Sequence, residues 1–149
     1  MSRKSLISFF VVPVLLIMAG SSIAGVSVGV TIGPPPVYTF AAPPEMVVIP
    51  NTYVYYAPGA NMDIVFYGGH WYRPYNGYWY RASGYNGPWV HIGTQRVPRY
   101  IINLPPNYRT MYRDYPRIPY SHVHSNWRHW EKDRYWHKRH WKHEQHEWH

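Results

Sequence analysis

His137, His140, His143, His146 and His149 recur at every third position near the C-terminal end of the chain. Imidazoles three or four residues apart share a helix face and can chelate one metal ion. Glu144 follows His140 by four residues, and Glu147 follows His143 by four, so a carboxylate oxygen can complete a ligand set. Such a set suits Zn, Cu or Ni. The candidate ligands are His137, His140, His143, His146 and Glu144. A spacing of three drifts by about 60° per step around an α-helix. The ladder therefore offers overlapping pairs or triples of ligands, not one closed cage. The competing reading is a solvated polar face that is rich in His and holds no cofactor.

A second group of residues suits binding. Tyr67-Gly68-Gly69-His70-Trp71-Tyr72, Tyr75-Asn76-Gly77-Tyr78-Trp79-Tyr80 and Tyr85-Asn86-Gly87-Pro88-Trp89-Val90 share the form Tyr-x-Gly-x-Trp. Trp71, Tyr72, Trp79, Tyr80 and Trp89 offer flat ring area on which sugar rings can stack. Arg73 and Arg81 offer hydrogen bonds to acidic groups. The competing reading is structural, because aromatic pairs across strands stabilise small sheets. Nothing here points to an enzyme. The repeats hold no pair of acids, no nucleophile with a base and no phosphate loop. Asp63 and Asp114 are isolated, and His70 and His91 stand alone beside turns.

The repeats also state how the chain bends. Gly68-Gly69 and Asn76-Gly77 are two-residue hairpin turns flanked by strand formers. Asn86-Gly87 is a third turn, loosened by Gly84 and Pro88. With those turns, Phe66 faces Trp71, Val65 faces Tyr72, Pro74 faces Trp79, and Arg73 faces Tyr80. Alternation then puts Phe66, Trp71, Arg73 and Tyr80 on one face of the sheet. Val65, Tyr72, Pro74 and Trp79 fall on the other. Both faces are aromatic, so one covers a core and the other is either covered or binds a ligand.

The rest of the chain divides by composition. Residues 25–50 are a Pro/Gly-rich extended arm, with Val26, Val28, Val30 and Ile32 alternating as in a short edge strand. Residues 51–103 are the β unit, with strands expected at Thr52 to Tyr56 and Asp63 to Tyr67. Residues 104–124 are a Pro-rich connector in which Asn107 to Tyr112 can form a helical turn or two. Arg109, Arg113 and Arg117 recur there at spacing four, which reads as a solvated strap over the sheet. Residues 125–149 lack Pro and Gly, and Ser125 or Asn126 can cap a helix. On that helix Trp127, Trp130, Trp141 and Trp148 fall within an arc of about 60°, with Trp136 opposite. Trp127 and Trp130 are expected to dock on the body. Trp141 and Trp148 can dock or meet a membrane surface.

Compartment follows from the N-terminus. Arg3 and Lys4 precede an apolar run from Leu6 to Ala19, and Ser22 and Ala24 mark a cleavage site before Gly25. Residues 1–24 therefore read as a secretory signal, with an uncleaved anchor as the competing reading. The chain has no cysteine, so neither disulfides nor thiolate metal sites contribute. The formal charge of +8, two of it in the signal, favours anionic partners. A cell-envelope component or anionic polymer fits, and a membrane surface or an oligomer is compatible. The secretory signal argues against a cytoplasmic nucleic-acid role.

Residues 66–92 resemble bacterial secreted proteins with short WxxGxW or YxWGxW repeats. Phe66, Pro74 and Gly84 stand where those repeats carry Trp three residues before the Gly. The resemblance implies export from a Gram-negative bacterium and a β-hairpin repeat, and it transfers no catalytic residue. The chain is thus expected to be a small mainly-β protein. It combines an antiparallel meander of three to five strands with a Pro-rich arm, a Pro-rich strap and a C-terminal helix. Its expected role is non-catalytic: an aromatic, basic surface for envelope association or assembly with a partner, with polysaccharide among the ligands. The alternative is periplasmic divalent-metal binding through the tail. A peptide of residues 125–149 tests that alternative. It should bind Cu or Ni near pH 7.5 and release it near pH 5, as imidazole protonates. Calorimetry with no binding heat at either pH would remove the metal reading.

Overall fold

The computed structural model describes residues 33–138. The signal segment, the alternating valines of residues 26–32, and His140, His143, Glu144, His146, His149, Trp141 and Trp148 lie outside the described residues.

The hairpins form as the turn residues require. Strand β3 (Val65–Tyr67) runs into β4 (His70–Tyr75), and β4 runs into β5 (Tyr78–Ala82). Both connecting turns hold two residues with positive φ: Gly68 and Gly69 at 58° and 83°, Asn76 and Gly77 at 48° and 77°. That is the turn whose twist matches paired strands. The register is the expected one: Val65 opposite Tyr72, Phe66 opposite Trp71, Pro74 opposite Trp79 and Arg73 opposite Tyr80. A longer loop leads to β6 (Val90–Ile92), which pairs with β5.

On the other side, β2 (Tyr55–Tyr56) pairs with β3, and β1 (Glu45–Val48) pairs with β2. The first half of β1 also pairs with β7 (Ile118–Pro119), far along the chain. The result is a seven-stranded antiparallel sheet in the order β6-β5-β4-β3-β2-β1-β7. The sheet is wider than the expected three to five strands for two reasons. Part of the supposed arm, Met46 to Val48, is an apolar strand inside the sheet. The end of the strap then supplies an edge strand, where Pro119 is tolerated because its missing N–H costs no ladder bond.

Two layers close the two faces. On one face Phe66 and Trp71 join Met46, Val48, Tyr55 and Ile118 beneath a C-terminal helix. On the other, Val65, Tyr72, Tyr56 and Val47 pack under Val97 and Ile101, from the end of the 51–103 segment, and Tyr108 of the strap. A single 3-10 turn at Thr94–Arg96 and the short helix α1 (Arg99–Ile102) end the 51–103 segment without further strand, and the short helix α2 (Tyr108–Met111) lies in the strap. The arm reaches the sheet as extended chain. Arg73 Nη1 donates to the Pro36 carbonyl at 2.8 Å, and the Tyr80 hydroxyl donates to the Gly33 carbonyl at 2.6 Å. Asn86 accepts from the Phe40 amide at 2.8 Å and donates to its carbonyl at 3.2 Å.

The C-terminal helix corrects one expectation. Helix α3 spans Tyr120–Lys132, so it starts five residues before Ser125. Pro119 precedes it with φ preset at −55°, and the Tyr120 amide donates to the Pro44 carbonyl. The helix does not run unbroken through the tail. Arg134 takes a φ of 52°, and a short turn α4 (Tyr135–Lys138) follows. A left-handed non-glycine residue costs about 1–2 kcal/mol. What offsets it is burial of Trp136, which a continuous helix would have turned away from Trp130. With the break, Trp130 and Trp136 meet edge to face at 5.1 Å. The Trp136 indole N–H donates to the Tyr55 hydroxyl at 2.8 Å inside the core.

Trp127 lies over the first hairpin turn, so that a Cβ on Gly69 would sit 2.9 Å from its ring, whereas one on Gly68 would meet nothing. Both glycines have positive φ, so each alanine substitution carries backbone strain of about 1–2 kcal/mol. Gly69→Ala should cost a further ~1–3 kcal/mol from overpacking against Trp127. Equal losses for Gly68→Ala and Gly69→Ala in chemical denaturation would show that α3 does not pack on the turn.

Candidate functional site

The sheet places most of the repeat residues in the interior. Trp71 is fully buried, and its indole N–H donates to the Tyr120 hydroxyl at 3.2 Å. Tyr72 and Tyr80 are buried, and Arg73 is only 4% exposed. These four are therefore corrected from ligand-facing residues to structural ones. Both faces of the sheet are covered, so the rings that line them pack on protein. Arg73 finds its acceptor in the arm, and its guanidinium lies 5.8 Å from the centre of the Tyr75 ring. Burial pushes its pKa down. Trp89 packs half-buried against the helix side, and its indole N–H has no partner among the described residues. Trp79 and Arg81 alone of the seven stay on the strap side with exposed surface. Trp79 is half-buried, and Arg81 is exposed and stands opposite Tyr72 across the strand pair.

Of the metal candidates, His137 is described. Its Nδ1 lies 3.0 Å from the Tyr53 hydroxyl, which ties α4 to the sheet. Among the described residues no group of three His, Cys, Asp or Glu side chains gathers within metal-binding reach. His70 Nδ1 lies 3.3 Å from the Gly68 carbonyl, and His91 packs against the edges of Tyr78 and Tyr80. Asp63 accepts a hydrogen bond from the Tyr108 hydroxyl at 3.0 Å.

The strap builds a site that the spacing of its cations signalled without showing its shape. After α2 the chain turns at Tyr112 and Tyr115, whose rings stack at 5.2 Å. That turn brings Arg113 and Arg117 back beside Arg109, and Arg117 Nη2 donates to the Arg113 carbonyl at 3.0 Å. The three arginines line a cleft of about 510 Å³ with Tyr56, Pro58, Pro106, Asn107 and Thr110. Arg109 is anchored by donating to the Ala60 carbonyl, and it accepts from the Tyr56 hydroxyl through its own carbonyl at 3.4 Å. Among the described residues no carboxylate forms an ion pair with any of the three; the one ion pair found joins His129 to Asp133. Asp114 is the only acid in the strap, and it is exposed. Arg113 and Arg117 are also exposed, so the guanidinium donors other than the one Arg117 gives to the Arg113 carbonyl remain open to a ligand.

A narrower slot adjoins the cleft. It holds about 140 Å³ between Val65, Pro74, Trp79, Ile101, Leu104 and Pro105, with Asp63 and Tyr108 beside them, and Pro106 lines both slot and cleft. Tyr56 on the cleft side meets Tyr108 on the slot side edge to face at 5.3 Å. Burial raises the Tyr56 pKa, with Arg117 and Arg109 opposing the shift. Burial and the Asp63 carboxylate raise that of Tyr108 strongly. Both phenols therefore stay neutral near neutral pH.

No helix among the described residues is long and apolar enough to cross a membrane. Comparison with protein families, curated proteins and solved structures found no match to this chain.

Proposed function

We propose that this is a non-catalytic, exported binding protein that holds an anionic partner of the cell envelope in the arginine cleft of its strap. The observation that carries the reading is the convergence of Arg109, Arg113 and Arg117 on one cleft with no carboxylate paired to them among the described residues. Guanidinium groups without a carboxylate partner, with hydroxyl and amide neighbours, suit carboxylate, phosphate or sulfate oxygens. The lining has no acid, imidazole or thiol, so it favours holding an anion over transforming one. The aromatic repeat then serves as the frame under the strap, and Trp79 and Arg81 extend the basic, aromatic surface onto β5.

A pull-down tests this. Purified protein is presented with lipopolysaccharide, peptidoglycan and DNA at two salt concentrations, beside the double variant Arg113→Gln/Arg117→Gln. Both arginines are exposed, so the variant should fold. Binding to an envelope polymer should weaken by about tenfold per arginine removed, the equivalent of ~1.4 kcal/mol each, and should fall with salt. Equal retention of both proteins on every polymer would reject the cleft as the binding site.

A further inference from the structure

The cleft and the slot meet at Pro106, yet their chemistry is opposite. The cleft is cationic and polar. The slot is walled by Trp79, Ile101, Leu104 and prolines, and its one carboxylate, Asp63, is already engaged by the Tyr108 hydroxyl. Resting on the reading of the cleft above, we infer that the anionic partner is a protein. An acidic polypeptide segment lays its carboxylates along Arg109, Arg113 and Arg117 and inserts one bulky apolar side chain into the slot beside Trp79.

Size and polarity select this occupant. An apolar cavity of about 150 Å³ holds a benzene ring, so a slot of about 140 Å³ holds one aromatic or branched side chain. A sugar ring would fit by volume, but its hydroxyls would face Ile101, Leu104 and proline carbons without partners, which is costly. An acyl chain would outrun the slot. A negative group cannot enter beside Asp63, so the charged part of the ligand is directed to the arginines and the uncharged part to the slot. An apolar anchor seated in a pocket and flanked by arginines is also how protein interfaces concentrate their affinity.

The test uses the full chain and a labelled peptide in which glutamates flank one phenylalanine. Its control is the same peptide with serine in place of the phenylalanine, which needs no change in the protein. Fluorescence anisotropy should show the phenylalanine peptide binding about tenfold to a hundredfold more tightly. Leu104→Trp, which fills the slot, should erase that preference and leave the weaker, salt-sensitive binding of the serine peptide. Arg113→Gln/Arg117→Gln should weaken both peptides. If the two peptides bind equally while the arginine variant weakens both, the slot is no anchor site and this inference fails, but the cleft reading stands. If the arginine variant changes neither peptide, the cleft reading itself fails. Tighter binding of polygalacturonate or of phosphatidylglycerol vesicles than of the phenylalanine peptide, abolished by Leu104→Trp, would assign the slot to a glycan or a lipid and overturn the protein partner.

Discussion

One constraint organises this protein: the central hairpins carry ring side chains on both faces of a single sheet. Phe66 and Trp71 point one way, while Tyr72 and Trp79 point the other. Neither face can be left to water, and the chain has no disulfide to stiffen it. Two separate layers must therefore be laid down, one from the helix and arm, one from the strap. The aromatic contacts are the means. Trp71 alone lies within ring-contact distance of Phe40, Phe66, Tyr85 and Tyr120. Indole and phenol groups also hydrogen-bond across the layers, as between Trp136 and Tyr55. A thin core can thus be apolar while most of its buried indole and phenol groups find partners.

The same constraint explains why Trp71, Tyr72 and Tyr80 of the repeats lie inside the protein. A sheet covered on both faces leaves little aromatic surface open, here part of Trp79 on the strap side. The strap that covers one face becomes the outer surface there. Its Tyr rings turn inward onto Val65 and Tyr56, and its arginines turn outward. Covering the core and exposing the cations are two consequences of one amphipathic segment. The long side chains of Arg109, Arg113 and Arg117 suit this, since their stems can lie on protein while their heads reach solvent.

Much of the sheet was legible because period-two alternation and turn residues are local signals. Gly68-Gly69 and Asn76-Gly77 settle the register of β3, β4 and β5 without reference to the rest of the chain. Other features needed information that is not local. The strand at Glu45–Val48 hid in a Pro-rich stretch: its second half pairs with nearby Tyr55–Tyr56, but its first half pairs with Ile118–Pro119, far along the sequence. The break at Arg134 carried no Gly or Pro to announce it, and it exists because Trp136 gains a buried site by turning. Burial of Trp71, Tyr72, Arg73 and Tyr80 could not be separated from exposure by pattern alone, since packing and ligand stacking select the same residue types. The arginine row was visible as spacing, but the cleft depends on the turn at Tyr112 and Tyr115.

The most direct measurement of two-sided closure is the ionisation of tyrosine followed by ultraviolet absorbance, with Tyr55→Phe and Tyr108→Phe assigning the transitions. Tyr55 lies under the helix layer and Tyr108 under the strap, and burial raises both phenols above the ordinary value of 10.0. Tyr67, beside Glu131, is pushed up to about 12, first by burial and then by that carboxylate. A phenol whose folded-state pKa is raised favours the folded state below pH 10, and that contribution is lost as pH climbs through the folded-state value. The account predicts that Tyr55 and Tyr108 stay un-ionised at pH values above 10. They should then ionise only as the near-ultraviolet circular dichroism collapses. Ionisation of either phenol near pH 10 with the sheet intact would mean that one face lies open to water, which contradicts the account.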